Sequence, residues 1–175
     1  MNRHLFASVS LVFSLVVFAP QVQAQGSASA EQREARAYRL TMEKINQYAA
    51  ATKSLRKLAS SDAKACSAIS RDDENEGGSL NEQAKRIEAA YPKVIPVLKA
   101  QGLTVREFLL LTAVQLQAGL AAHGRSMGVK ELAPDVNPEN VAFMEQHKKE
   151  LDAITADLKK VPDPCAQDGD EEDSQ

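Results

Sequence analysis

At 175 residues and a formal net charge of −3, the chain has the length of one domain with a single core, not of several. Basic residues do not outnumber acidic ones and aromatics make up 5% of the chain, which excludes a nucleic-acid surface of basic stripes interleaved with rings. Two cysteines, with no histidine pair close to them, exclude a structural zinc set.

Asn2, Arg3 and His4 form a short polar start, and Leu5 to Ala19 is an almost unbroken apolar run. Pro20 interrupts it, and Val22-Gln23-Ala24 places small residues at both positions that matter for cleavage. This is the layout of a removable secretory signal. The run is shorter than the roughly 20 apolar residues that cross a bilayer, and no positive charges follow it as a stop. We expect residues 1–24 to be removed and 25–29 to be a flexible leader. The mature protein is then periplasmic or secreted, without stable membrane insertion. No cysteine lies near the cut to carry a lipid.

Ser29-Ala30-Glu31-Gln32 fits a capping box and opens the first helix. Tyr38, Met42, Ile45, Ala49, Leu55 and Leu58 follow at three- and four-residue steps, with Thr52 filling the gap. Arg36, Arg39, Lys44, Lys53 and Lys57 lie between them. The spacing predicts one long amphipathic helix over 30–59. A shorter helical turn over 62–69 carries Cys66, and the charged stretch 70–78 reads as a loop closed by two glycines.

Ser79-Leu80-Asn81-Glu82 is a second capping box, and Leu80, Ala84, Ile87 and Tyr91 mark the helix behind it. Pro92 ends or kinks that helix, because proline lacks the backbone donor and clashes with the preceding turn. Pro96 argues against a straight continuation, so 93–101 reads as a separate segment that buries Val94, Val97 and Leu98 and stops at Gly102.

Thr104-Val105-Arg106-Glu107 is a third capping box. Phe108 to Ala122 is apolar nearly all the way round, interrupted by Thr112, Gln115 and Gln117. A helix of that kind sits at the centre of a bundle, so 105–122 reads as scaffold. Within it, Leu111-Thr112-Ala113-Val114-Gln115 is similar to the short L-T-x-x-Q motif of small helical periplasmic stress chaperones. There the threonine begins a helix, whereas Thr112 falls inside one. The resemblance implies a holdase as one alternative function.

Residues 123–137 form a connection with Gly124, Gly128 and Pro134. Asn137 caps the last helix and Pro138 takes its first position, where a missing donor costs nothing. Val141, Met144, His147, Leu151, Ile154 and Leu158 form its apolar stripe, and Lys159 and Lys160 suit the dipole of its last turn. Pro162 and Pro164 end it. Residues 162–175 form an acidic tail that contains Cys165 and is disordered beyond it, since six of the last thirteen residues are acidic and none is basic.

These elements predict an all-α fold over residues 30–161: a bundle of four main helices with short extra segments, one kinked at Pro92 and Pro96. In an oxidising compartment Cys66 and Cys165 are expected to pair. Cys66 follows the first helix and Cys165 follows the last, so those two helix ends must meet. A simple up-down-up-down order separates them. We therefore expect a crossover between the third and fourth helices, or a broken second helix that resets the direction.

The catalytic inventory is small. The mature chain has His123 and His147 only, with no Glu-x-x-His pair, no phosphate loop and no Cys-x-x-Cys-His. We assign no catalytic residue, no metal set and no cofactor. Met42 on the first helix and His147 on the last are the two side chains able to ligate a b-type haem across the bundle. The expected role is a non-catalytic binding or envelope-associated module whose partner is an unknown protein or small ligand, not nucleic acid. The alternatives are a chaperone-like holdase and a haem- or small-ligand-binding bundle. Export is checked by intact mass: the exported product is expected to begin at Gln25, and a product that retains Ala24 overturns it.

Overall fold

The computed structural model describes residues 30–62, 64–69 and 78–165. The signal segment, the leader, most of the 70–78 loop and the tail beyond Cys165 lie outside the described residues. Within them the fold is all-helical, without strands. The helices are α1 (Ala30–Ala37), α2 (Met42–Ser61), α3 (Lys64–Ile69), α4 (Leu80–Ala90), α5 (Val94–Lys99), α6 (Val105–Ser126), α7 (Pro138–Gln146) and α8 (Lys148–Leu158).

The first predicted helix is divided in two, because residues 38–41 leave the helix between α1 and α2. Thr41 takes an extended conformation and its hydroxyl accepts from the Lys44 amide at 3.2 Å, so it caps α2. The backbone groups freed by the break are taken up from a distant part of the chain. Asn140 Oδ1 accepts from the Leu40 amide at 2.9 Å, and Asn140 Nδ2 donates to the Tyr38 carbonyl at 2.9 Å. Asn137 Nδ2 donates to the carbonyls of Arg36 at 2.7 Å and Tyr38 at 3.2 Å. Both asparagines are buried. The break in turn lets Leu40 join the core cluster.

The helix starts follow local chemistry. Ser79 and Glu82 complete a reciprocal capping box at α4. Thr104 caps α6 by accepting from the Glu107 amide at 3.0 Å. The Glu107 carboxylate instead reaches Lys44 at 2.6 Å, tying α6 to α2. α4 ends at Tyr91, and Pro96 sits in the first turn of α5, where no donor is lost. Gly102 has φ +73°, a left-handed conformation that glycine adopts freely, and the Leu103 amide then returns to the Leu98 carbonyl at 3.1 Å.

The last predicted helix is also divided, at His147. Here the ladder survives. The His147 amide donates to Phe143 O and the Leu151 amide to His147 O, both at 2.9 Å. α7 and α8 are thus one helix with a single-residue kink, whereas α1 and α2 are separate.

Topology follows from which ends touch. The start of α7 lies beside residues 36–40, through the two asparagines. The end of α8 lies beside the second half of α2: Lys53 pairs with Asp157, and Arg56 donates to the Leu158 carbonyl at 2.7 Å. The α7–α8 arm therefore runs parallel to α2. α6 also begins near the α1–α2 junction, where Arg106 forks onto Glu34 at 2.7 and 2.5 Å. Its 22 residues carry the chain about 33 Å away, so 127–137 has to return it, as the expected crossover does. The chain also breaks between α4 and α5.

Parallel arms bring the ends of α2–α3 and α8 together, and Cys66 and Cys165 are joined there with Cα atoms 5.1 Å apart. The sequence separation is 99 residues, for which chain entropy assigns roughly 4.7 kcal/mol of stabilisation.

A further expectation is corrected, that of a central helix covered all round. α6 does bury Val105, Leu110, Leu111, Val114 and Ala118. It is not covered on all sides, however, because Leu116 and Leu120 are 56% and 64% exposed. Among the described helices, α1, α2, α4, α5 and α7 pack on it, and they leave the face of Leu116 and Leu120 exposed.

Asn140→Ala orphans the buried Leu40 amide, worth about 1–3 kcal/mol, while the Tyr38 carbonyl keeps Asn137 Nδ2 as a donor at 3.2 Å. The expected result is a urea midpoint lowered by an amount equivalent to about 1–3 kcal/mol, with the slope unchanged. A shift below about 0.5 kcal/mol would show that water replaces the asparagine.

Candidate functional site

The parallel arms leave space between α2, α4, α5 and α6. α2 contributes Tyr48, Thr52, Leu55, Arg56 and Ala59, which recur at helical spacing and so share one face. α6 contributes Val105, Phe108, Leu109 and Thr112 on the same principle. Ile87 of α4 and Val94 and Leu98 of α5 complete the apolar wall. Asp163 and Cys165 close one end. The cavity has a volume of about 420 Å³, within the roughly 300–1,000 Å³ of small-molecule sites.

Two devices hold it open. At one end the rings of Tyr48 and Phe108 stack, with centroids 4.8 Å apart and planes 16° from parallel. That pair spaces α2 from α6. At the other end, residues 159–165 leave α8 as a strap over the cavity, tied down by the disulfide and by Arg56. Arg56 Nη1 donates to the carbonyls of Leu158 at 2.7 Å and Val161 at 3.0 Å. Its Nη2 lies 3.1 Å from Asp163 Oδ2. Asp163 Oδ1 accepts from the Cys165 amide at 3.1 Å.

Neutral polar groups on the wall are already occupied. Thr52 donates to the Tyr48 carbonyl and Thr112 to the Phe108 carbonyl, each at 2.9 Å. The Thr112 oxygen also lies 3.3 Å from the Tyr48 hydroxyl. The interior therefore presents chiefly apolar surface. Charge enters at the strap, through Arg56 and Asp163.

The residues singled out from the sequence fall in different places. Cys66 and Cys165 meet, and Cys165 lines the cavity. Met42 is the first residue of α2 and His147 is the kink between α7 and α8. Neither lines this cavity. The His147 ring tilts against Phe143 with centroids 4.6 Å apart, and its Nδ1 is 3.7 Å from Glu150. His123 is exposed in the last turn of α6. Thr112 of the L-T-x-x-Q stretch lies inside α6, on the cavity wall. Residues 70–77 of the charged stretch lie outside the described residues. Among the described residues no three His, Cys, Asp or Glu side chains converge as a metal site, and no helix is long and apolar enough to cross a membrane.

Sequence reasoning did not single out Arg56. The signal was present: Thr52, Leu55, Arg56 and Ala59 stand at i, i+3, i+4 and i+7, so a cation lies inside the apolar stripe. Asp62, just past α2, was also missed. Its carboxylate accepts from the Tyr91 hydroxyl and from Lys93 Nζ, both at 2.8 Å, which fastens the end of α2 to the α4–α5 corner behind Val94.

Compared with protein-family models, with curated proteins and with solved structures, the chain matches none. The reading of the cavity rests on its own residues.

The Lys93 ammonium and then the Tyr91 hydroxyl pull the Asp62 pKa down from the usual 3.8 to about 2. A carboxyl lowered in the folded state stabilises above its unfolded value and loses that contribution as pH falls through the folded value. Wild type is expected to lead Asp62→Asn in urea midpoint at neutral pH, with the lead shrinking from about pH 4 towards pH 2. A lead that does not change with pH overturns the assignment.

Proposed function

We propose that this chain is an exported helical protein that binds one small, largely apolar ligand in the cavity between α2, α4, α5 and α6. The observation that carries the reading is the cavity itself: apolar walls, satisfied hydroxyls, and a charged strap at one end. The cross-link between Cys66 and Cys165 supports export, because such bonds persist in periplasmic and extracellular compartments. The role is binding without catalysis, and the cavity supports a carrier or sensor of a small molecule among the binding roles open to such a bundle. A second reading is favoured by Leu116 and Leu120: an exposed apolar helix face suits a protein client, as in a holdase.

The test uses the uncharged fluorophore N-phenyl-1-naphthylamine with the oxidised protein. Ala59 lines the cavity and is 5% exposed, so Ala59→Phe fills the space a ligand needs. We expect saturable one-to-one binding by wild type and a loss of about tenfold or more in Ala59→Phe, with the fold intact by circular dichroism. Absence of saturable binding, or equal binding by both proteins, overturns the cavity reading. If client aggregation is instead suppressed by wild type and not by a Leu116→Gln, Leu120→Gln double variant, the second reading replaces it.

A further inference from the structure

We infer that the ligand is a single-chain carboxylate, an amphiphile whose head group takes the place of Asp163 on Arg56. This rests on the cavity being a ligand site and names the chemistry it selects. Among the described residues lining the cavity, Arg56 is the one cation and Asp163 the one anion, and both stand at the strap.

The guanidinium is held independently of Asp163. Its Nη1 is fixed by the carbonyls of Leu158 and Val161, while Asp163 meets only Nη2. These three contacts leave two of the five N–H donors that arginine carries. A carboxylate suits those donors better than a hydroxyl or an ammonium does, because guanidinium and carboxylate match in geometry and charge. The Asp163 side chain is 41% exposed and that of Arg56 is 24% exposed. Asp163 can therefore turn out to water while the incoming head group enters. One carboxylate then replaces another on Arg56, and no bare charge is left in the wall.

The apolar end sets the length. A volume of 420 Å³ equals about fourteen water shares of roughly 30 Å³ each. Decanoate, with about a dozen non-hydrogen atoms, is of that size. Its chain would run from Arg56 along Leu55 and Val94 towards the Tyr48–Phe108 pair, all of which face this cavity.

Calorimetric titration of the oxidised protein with decanoate, 1-decanol and decyltrimethylammonium tests the inference. Wild type is expected to bind decanoate about tenfold more tightly than decanol, the value of one charge-assisted pair. Asp163→Asn keeps the Oδ1 acceptor for the Cys165 amide and removes the competing charge. It is expected to tighten decanoate by about threefold and leave decanol unchanged, as loss of a half-exposed ion pair allows. Arg56→Gln is expected to bring decanoate to the level of decanol. Binding of N-phenyl-1-naphthylamine reports whether the cavity of each variant is intact. If Arg56→Gln loses that binding as well, the Asp163→Asn comparison decides. Equal affinities for decanoate and decanol, a preference for the ammonium, or weaker binding of both ligands by Asp163→Asn overturns the inference. Wild type that binds decanol and the neutral fluorophore but does not prefer decanoate sinks this inference alone. Wild type that binds none of them sinks the cavity reading beneath it.

Discussion

The structure depends on two asparagine side chains that stand in for a missing turn of helix. Where the chain leaves α1 and enters α2, backbone donors and acceptors lose their intrahelical partners, and burying them unpaired would cost about 1–3 kcal/mol each. Asn137 and Asn140 supply those partners from roughly a hundred residues away. Asn137 also caps its own helix, accepting from the Glu139 amide. One side chain thus starts α7 and closes α1, and so sets where the last arm begins and which way it runs. Once α7–α8 is parallel to α2, the lysine and arginine on α2 meet the end of α8, and the cysteines meet just beyond.

The cavity follows from the same constraint. Helices that packed as simple antiparallel neighbours would bring α2 and α6 together along their length. Here the aromatic pair spaces them at one end, and at the other the strap is tied to Arg56 of α2 and Cys66 of α3. Small residues between, Ala59 and the two threonines, do not fill the gap. Arg56 belongs to both roles: it satisfies carbonyls at the end of α8, and it sets the charge at the cavity mouth.

What could be read without the structure was whatever depends on neighbours three or four residues apart. The Ser79–Glu82 box, the Thr104 cap, the Asn137–Pro138 start, the break after Tyr91 and the stop at Gly102 are all of this kind, and each stands where the residues placed it. The division of the first helix was not readable. Tyr38, Leu40 and Thr41 keep an acceptable helical pattern, and the groups that reward the break lie on α7. The open face of α6 was not readable either. A helix apolar on every side predicts full burial, and its residue pattern cannot show that its neighbours cover only part of it. Arg56 looked like one more cation on a basic helix until its partners on the strap were placed.

The amino acids alone settled the all-helical class, most helix ends and a pair of cysteines suited to an oxidising compartment. Capping, proline geometry and 3.6-residue periodicity act within a single turn and need no knowledge of the rest of the chain. The direction of the last arm, the face of α6 left bare and the existence of a cavity came from three-dimensional packing. Each is a relation between residues about fifty to a hundred positions apart, and such a relation is fixed by which buried groups find partners across the fold rather than by any local preference.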